Sequence, residues 1–424
     1  MGHPVFLIGQ ASEVGQVQGE LQGKFLQERL GRILTRAEQT QTLPQLKERA
    51  EKFGEVLSEA SPHWLDEAKA LSAAAGSELW QVLALNSLPA NFWGVESEFY
   101  VPAPLVPKDI SRAKADTRGE ELVNPIEAQS LDLAAGGGDC TTYFALGSAT
   151  LSGETLLHKS RDQYDEVQSA YIKHCEPFYR FVGGGDIGNL GTAHLHTEHF
   201  WSGANNTGSP LKPGLYRECV LSDAHVLRYL AEHCVGIDDI LPAIEELIAR
   251  QWLGGGSPGT GMILSFVDVD RGLVVEATSQ RFHAQWYEDG DMVVRTNHFL
   301  FPEMQDDVLP PHPGSVVRYE RAKELWEEQD GFTSIPSCGE LSRDRENAPL
   351  AICRNPSDNL QTVTVSTSTS IISRHDDRRC QTHFRNCHPS YTPAIILTPL
   401  DRVSDSDLVS GAYNQQWRDY RGWV

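Results

Sequence analysis

Cys140 stands where this chain could most readily build covalent chemistry. It follows Gly136-Gly-Gly-Asp139 and opens Thr141-Thr-Tyr-Phe-Ala-Leu146, a run with the composition of a strand. Glycines reach backbone conformations that other residues adopt only with strain. A strained peptide bond ahead of a thiol favours an N→S acyl shift and then hydrolysis. Cutting Asp139–Cys140 in this way would leave Cys140 with a free α-amine. Such an amine has an ordinary pKa of about 7.7–8.0, so it can serve as the base for its own thiol. The competing reading is a buried structural cysteine that opens a strand after a glycine-rich linker, a common place for a free thiol.

The elements needed to position that residue are legible on both sides of it. Residues 4–9 read as a short strand, and 13–60 as helix with a break at Leu43-Pro44. Trp64–Ala75 and Leu79–Leu85 follow as a helix pair. Residues 102–138 hold four prolines, scattered charge and a glycine run, and read as a long connector. Thr155-Leu-Leu-His-Lys159 lies beyond Ser152-Gly153 and completes a hairpin with the Cys140 strand. Ala224–Ala249 reads as two helices split near Gly236. Met262–Asp268 and Gly272–Ala277 form a second hairpin, and Arg281–Tyr287 and Met292–Thr296 add strands. Ser315–Gln329 is a helix, and Val363–Ile372 and Ala394–Leu397 are the last strands. Clustered strands and helices without a fixed repeat point to α+β or layered α/β packing.

Bulk composition limits the function classes. With 424 residues, 40% hydrophobic and 8% aromatic, the chain can bury a sizeable core. A formal net charge of −22 disfavours nucleic-acid partners. No run approaches the roughly 18 apolar residues of a membrane span. The first residues lack the basic and apolar regions of a signal peptide, and the eight cysteines form no C-x-x-C pair, so a cytoplasmic setting with reduced thiols is expected.

Several short motifs, in order, resemble the acyl-coenzyme A:6-aminopenicillanic acid acyltransferase-like family of N-terminal-nucleophile hydrolases, the peptidase C45 group. They are Gly9-Gln-Ala-Ser-Glu-Val-Gly15, Trp64-Leu-Asp-Glu-Ala-Lys-Ala-Leu71, Cys140-Thr-Thr142, Lys159-Ser-Arg-Asp162, Gly203-Ala-Asn-Asn206, Val275-Glu276, Thr296-Asn-His-Phe299 and Arg318-Tyr-Glu-Arg-Ala322. The resemblance implies a four-layer αββα sandwich with residues 1–139 as a cleaved subunit and 140–424 as the nucleophile-bearing subunit. It implies Cys140 as nucleophile and Asp162 as the acid that holds the α-amine. It also implies Asn297 as a neutral oxyanion donor and Arg318 as the active-site arginine. Asn205 and Asn206 compete for a second oxyanion position, and Asn206 is preferred. His298 is expected to be a structural, hydrogen-bonded histidine. The chain departs from relatives at Ser160, where asparagine is frequent, and at Lys159, where choloylglycine hydrolases carry arginine. Asp139 stands where the penicillin-forming member has glycine.

Two other constellations carry less. His375, Cys380, His383, Cys387 and His388 fit no common zinc-finger spacing and are crowded by arginines, so a basic loop is expected and no metal. Gly183-Gly-Gly-Asp-Ile-Gly188 lacks the lysine of a phosphate-binding loop and reads as a turn. The expectation is thus an amidohydrolase activated by self-cleavage at Asp139–Cys140, without a cofactor. Its partners would be a small-molecule amide or acyl substrate and its own N-terminal fragment, with homo-oligomerisation left open. Acyl transfer from a thioester such as coenzyme A is the alternative reaction. A binding protein that kept the fold without the chemistry is the alternative class.

Overall fold

A computed structural model of the chain describes residues 5–88, 140–163, 168–256, 259–328, 334–348, 350–354, 363–373, 380–385, 389 and 394–397. The expected connector at 102–138 and Asp139 lie outside them. Strand β1 (Val5–Gly9) leads into α1 (Ala11–Gln39), whose start is closed by the Gln10 N–H donating to Glu13 Oε2 at 2.8 Å. Pro44 sits in the first turn of α2 (Leu43–Ala60), where its missing N–H costs nothing. Then come α3 (Pro62–Ala75) and α4 (Leu79–Leu85). Gly15 and Gly19 let α1 lie directly on α3, since a Cβ at Gly15 would stand 2.1 Å from the Glu67 carbonyl oxygen.

The Cys140 strand is β2 (Cys140–Ala145), and its hairpin partner is β3 (Thr155–Gln163). Next along the chain are β4 (Gln168–Cys175), β5 (Phe181–Asp186), β6 (His194–Thr197) and β7 (Trp201–Pro210). The short strands β8 (Leu221–Ser222) and β9 (Leu253–Gly255) flank helices α5 (Asp223–His233) and α6 (Ile240–Ala249). Then follow β10 (Thr260–Val267), β11 (Gly272–Ala277), β12 (Phe282–Tyr287) and β13 (Met292–Arg295). Helices α7 (Pro302–Gln305), α8 (Pro313–Glu328) and α9 (Ile335–Leu341) precede β14 (Val363–Ile372), β15 (Gln381–Arg385) and β16 (Ile395–Leu397).

The class is α+β, with two large sheets. One has eight strands in the order β1-β4-β5-β6-β7-β10-β11-β12, and the other has six in the order β13-β2-β3-β14-β15-β16. Strand alternation sorts the side chains. Leu264, Phe266 and Val275 share a core with the buried faces of α1–α6. Ile263, Val267 and Val274, on the opposite face of the same strands, pack with Phe144 and Leu157 of the six-stranded sheet. Tyr143, Ala145 and Val294 face the other way, onto Ala322 of α8 and Cys338 and Leu341 of α9.

The segment 183–186 is a strand, not the turn its glycines suggest. A Cβ at Gly184 would meet the Phe384 ring at 2.5 Å and one at Gly183 the Tyr171 ring at 2.4 Å, so glycine here admits aromatic neighbours. No helix among the described residues is long and apolar enough to cross a membrane.

Candidate active site around Cys140

Cys140 is the first residue of β2 and is 7% exposed. Its Cα partner across the hairpin is Arg161, and Thr142 pairs with Lys159. Cross-strand partners share a face, so Cys140, Thr142, Lys159 and Arg161 all look toward the eight-stranded sheet. The backbone N–H of Cys140 donates to Asn297 Oδ1 at 2.7 Å. The same oxygen accepts from Arg318 Nη2 at 2.8 Å, and Asn297 Nδ2 donates to the Asn206 carbonyl at 2.7 Å. A backbone N–H and a guanidinium can only donate, and a carbonyl can only accept, so the orientation of this amide is fixed by its partners. The Asn297 backbone is held as well: its N–H donates to Ser315 Oγ at 2.7 Å and its carbonyl accepts from the Gly208 N–H at 2.6 Å. Arg318, on α8, is fully buried.

Lys159 belongs to this group although neither its motif nor its spacing assigned it a role. It is 0% exposed, its stem lies against Gly203, and its ammonium donates to Asn205 Oδ1. That oxygen also accepts from Thr142 Oγ1 at 2.7 Å, and Asn205 Nδ2 donates to the carbonyls of Arg295 and Thr296 at 3.0 Å each. Burial pushes the Lys159 ammonium below its ordinary range, and the nearby Cys140 thiol opposes that shift. The signal available in sequence was the spacing of Lys159 and Arg161, two cations on one face of a strand that otherwise buries its side chains.

Period-two alternation also decides between the adjacent asparagines. Asn205 pairs with Ile263, which packs between the sheets, and Asn206 pairs with Met262, which belongs to the helix-side core. The side chain that reaches the Cys140 hairpin is therefore that of Asn205. Asn206, the sequence choice for an oxyanion donor, meets the site through its backbone carbonyl instead.

Asp162 lies one residue past the partner of Cys140, on the opposite face of β3. It is 1% exposed, accepts from Thr364 Oγ1 at 2.6 Å and has Arg354 Nε at 3.9 Å. Arg161 is held by Gln168 Oε1 at 2.7 Å and by both carboxylate oxygens of Asp186 at 2.6 and 3.2 Å. Asp186 also binds Arg29 of α1 at 3.3 Å. Burial opposes its ionisation, but Arg161 and Arg29 overcome this and hold the carboxyl well below the usual range. The fold thus links Cys140 to Arg318 through Asn297 and sets Asp162 at the adjoining strand end.

His298 is hydrogen-bonded to Ser315 Oγ at 2.8 Å, and burial pushes its pKa down to about 4. Of the cysteine and histidine cluster near the end of the chain, only Cys380 and His383 are described. No group of three metal-ligating side chains occurs among the described residues. No family model matches the chain, and no curated protein matches it.

Proposed function

We propose that the chain is an amidohydrolase of the N-terminal-nucleophile type, similar to the peptidase C45 group, activated by cutting its own Asp139–Cys140 bond. In this reading the helix–sheet–sheet–helix packing is the four-layer αββα sandwich, residues 1–139 become a retained subunit, and 140–424 carry the nucleophile. The observation that carries the proposal is the treatment of Cys140. It opens a strand, its backbone N–H donates to an Asn297 oxygen that Arg318 also holds, and its side chain shares a strand face with a fully buried lysine. A cysteine that only fills space needs none of these.

After the cut, the α-amine of Cys140 takes the thiol proton and the thiolate attacks the carbonyl carbon of a small-molecule amide. The departing amine receives that proton, leaving an acyl-enzyme thioester, which water hydrolyses. Fixed N–H dipoles around the reacting carbon lower the barrier without reorganising, while Asn297, whose oxygen accepts from the Cys140 nitrogen, orients the nucleophile. Asp162 steadies the ammonium form of the amine at the strand end. The chemistry calls for no cofactor, and a thiol nucleophile suits a reducing compartment such as the cytoplasm, where it is not drawn into disulfides.

Intact mass of freshly purified protein, followed by an amide time course with and without a competing amine, tests the proposal. Two fragments meeting at Cys140 and acid release independent of the amine are expected. Turnover by a single uncut chain contradicts the mechanism. Product that forms only with the amine moves the reaction to acyl transfer. Cys140→Ala is expected to stay intact and inactive.

A further inference from the structure

The first cut poses a problem that the later reaction does not. Before Asp139–Cys140 is broken, the Cys140 nitrogen belongs to a peptide bond and has no basic lone pair. Its N–H is moreover committed to Asn297 Oδ1. The α-amine that serves the mature enzyme does not yet exist, so the thiol proton needs another acceptor.

We propose that Lys159 is the base of the self-cleavage step, taking the Cys140 thiol proton and returning it to the departing Cys140 nitrogen. The inference rests on the reading of Cys140 as a self-releasing nucleophile. Lys159 lies on the neighbouring strand, two residues from the Cα partner of Cys140 and on the same face. Such diagonal neighbours are roughly 7–8 Å apart at the backbone, a gap that a lysine side chain spans. The nitrogen is fixed at its far end by Asn205 Oδ1. Asn205 in turn hangs from the carbonyls of Arg295 and Thr296, directly before the asparagine that clamps the Cys140 N–H. Base and backbone clamp therefore share one frame. Lys159 has no exposed surface, which favours the neutral amine that a base requires.

The step balances. The neutral Lys159 amine accepts the thiol proton. The thiolate attacks the carbonyl carbon of residue 139, forming a C–S bond and a tetrahedral intermediate. The C–N bond breaks as nitrogen takes the proton from Lys159, giving a thioester and a free α-amine. Water then attacks the thioester carbon, and the C–S bond breaks to release the new carboxyl group and restore the thiol.

Lys159→Arg separates a base from a mere positive charge, because a guanidinium keeps its charge and does not lose its proton in proteins. Cutting of the full chain is followed by denaturing gel and intact mass during cell-free synthesis, with folding checked by thermal melt. A folded Lys159→Arg that cuts at least ~100-fold more slowly than wild type, within the range typical of general-base loss, supports the proposal. A folded Lys159→Arg that cuts within threefold of wild type overturns it. Where the guanidinium prevents folding, Lys159→Met serves: a folded, uncut chain supports the base and a folded, normally cut chain overturns it. Wild type that is never cut removes the underlying reading of Cys140 itself, a result distinct from loss of the lysine's role alone.

Discussion

A side-chain amide has one oxygen and one NH2, and Asn297 uses both ends. Its oxygen joins the Cys140 N–H to Arg318, and its nitrogen reaches across to the strand that carries Asn205 and Asn206. Hydrogen bonds to charged groups contribute about 1.5–3 kcal/mol. Arg318→Met removes that bond while keeping an unbranched side chain on α8. The expected outcome is a fall of roughly 10–100-fold in the rate of cutting, or in kcat/KM of cut enzyme, with the chain still folded. A change under threefold would show that Asn297 needs no support from α8. Glu276 acts on the same segment from the other side. It is fully buried and accepts the N–H groups of Leu300 and Phe301 at 2.8 and 3.1 Å. Burial pushes its carboxyl from the ordinary 4.5 up to about 7, despite those bonds and Arg295 nearby. Between these values the native state holds the extra proton, so stability falls as pH rises through the window and levels off above about 7. Each unit of that shift corresponds to about 1.4 kcal/mol. Buried histidines with lowered pKa, such as His158 and His298, act in the opposite sense, so the test is a difference. Melting curves from pH 4.5 to 8 should show wild type losing stability relative to Glu276→Gln as pH rises. Parallel curves would remove Glu276 as the cause.

At the scale of elements, what the sequence made legible was local. The β2–β3 hairpin, the helix break at Pro44 and the split near Gly236 follow from periodicity and turn residues, and all are present. The stretch β4–β7 was largely hidden because its signals belong to partners far along the chain. Gly183-Gly-Gly reads as a turn by composition, yet those residues are strand because rings from β4 and β15 fill the space beside them. β14 is rich in serine and threonine and nonetheless buried. Ser368 and Ser366 meet Nδ1 and Nε2 of buried His194 at 2.8 and 2.9 Å, a pairing that no local pattern encodes. The site shows the same division. Motif order singled out Cys140, Asn297 and Arg318, whereas Lys159 and Asn205 depend on strand phase, which is set by pairing. Gly184→Ala tests the argument for β5. Its new Cβ would stand 2.5 Å from the Phe384 ring, and overpacking of that kind costs about 1–3 kcal/mol. A lowered Tm is expected, with part of the loss recovered in Gly184→Ala combined with Phe384→Leu. An additive double variant would place the strain elsewhere.

At the scale of the whole molecule, a chain cut at residue 139 keeps its N-terminal part only if non-covalent contacts hold it. Two sets of contacts do so. β1 pairs in parallel with β4 at the edge of the eight-stranded sheet, and α1–α4 share a core with its strands. Beneath that core lies an ionic cluster sealed from solvent. Glu67 of α3 accepts from Lys173 of β4 at 2.7 Å and pairs with Arg228 of α5. Glu232 accepts from Trp64 Nε1 at 2.6 Å and from Arg228 Nε at 2.8 Å, with His63 at 2.9 Å. The Arg228 guanidinium stacks on the Trp64 ring, 4.6 Å from its centroid. Burial opposes the ionisation of Glu67, but Arg228 and Lys173 outweigh it and hold the carboxyl below its ordinary range. Two carboxylates thus balance two cations, and every pair but Arg228–Glu232 joins the N-terminal part to the rest. Removing one partner of a buried ion pair leaves an uncompensated charge and costs about 3–5 kcal/mol. Glu67→Gln keeps the shape and leaves the cluster with an excess positive charge. In the cut wild-type protein both fragments should elute together in gel filtration through moderate urea. In Glu67→Gln the N-terminal fragment should separate at a clearly lower urea concentration, and activity should vanish with it. Co-elution of both proteins up to the same urea concentration would mean that the apolar core and the β1–β4 pairing suffice, and that the cluster contributes nothing to holding the two parts together.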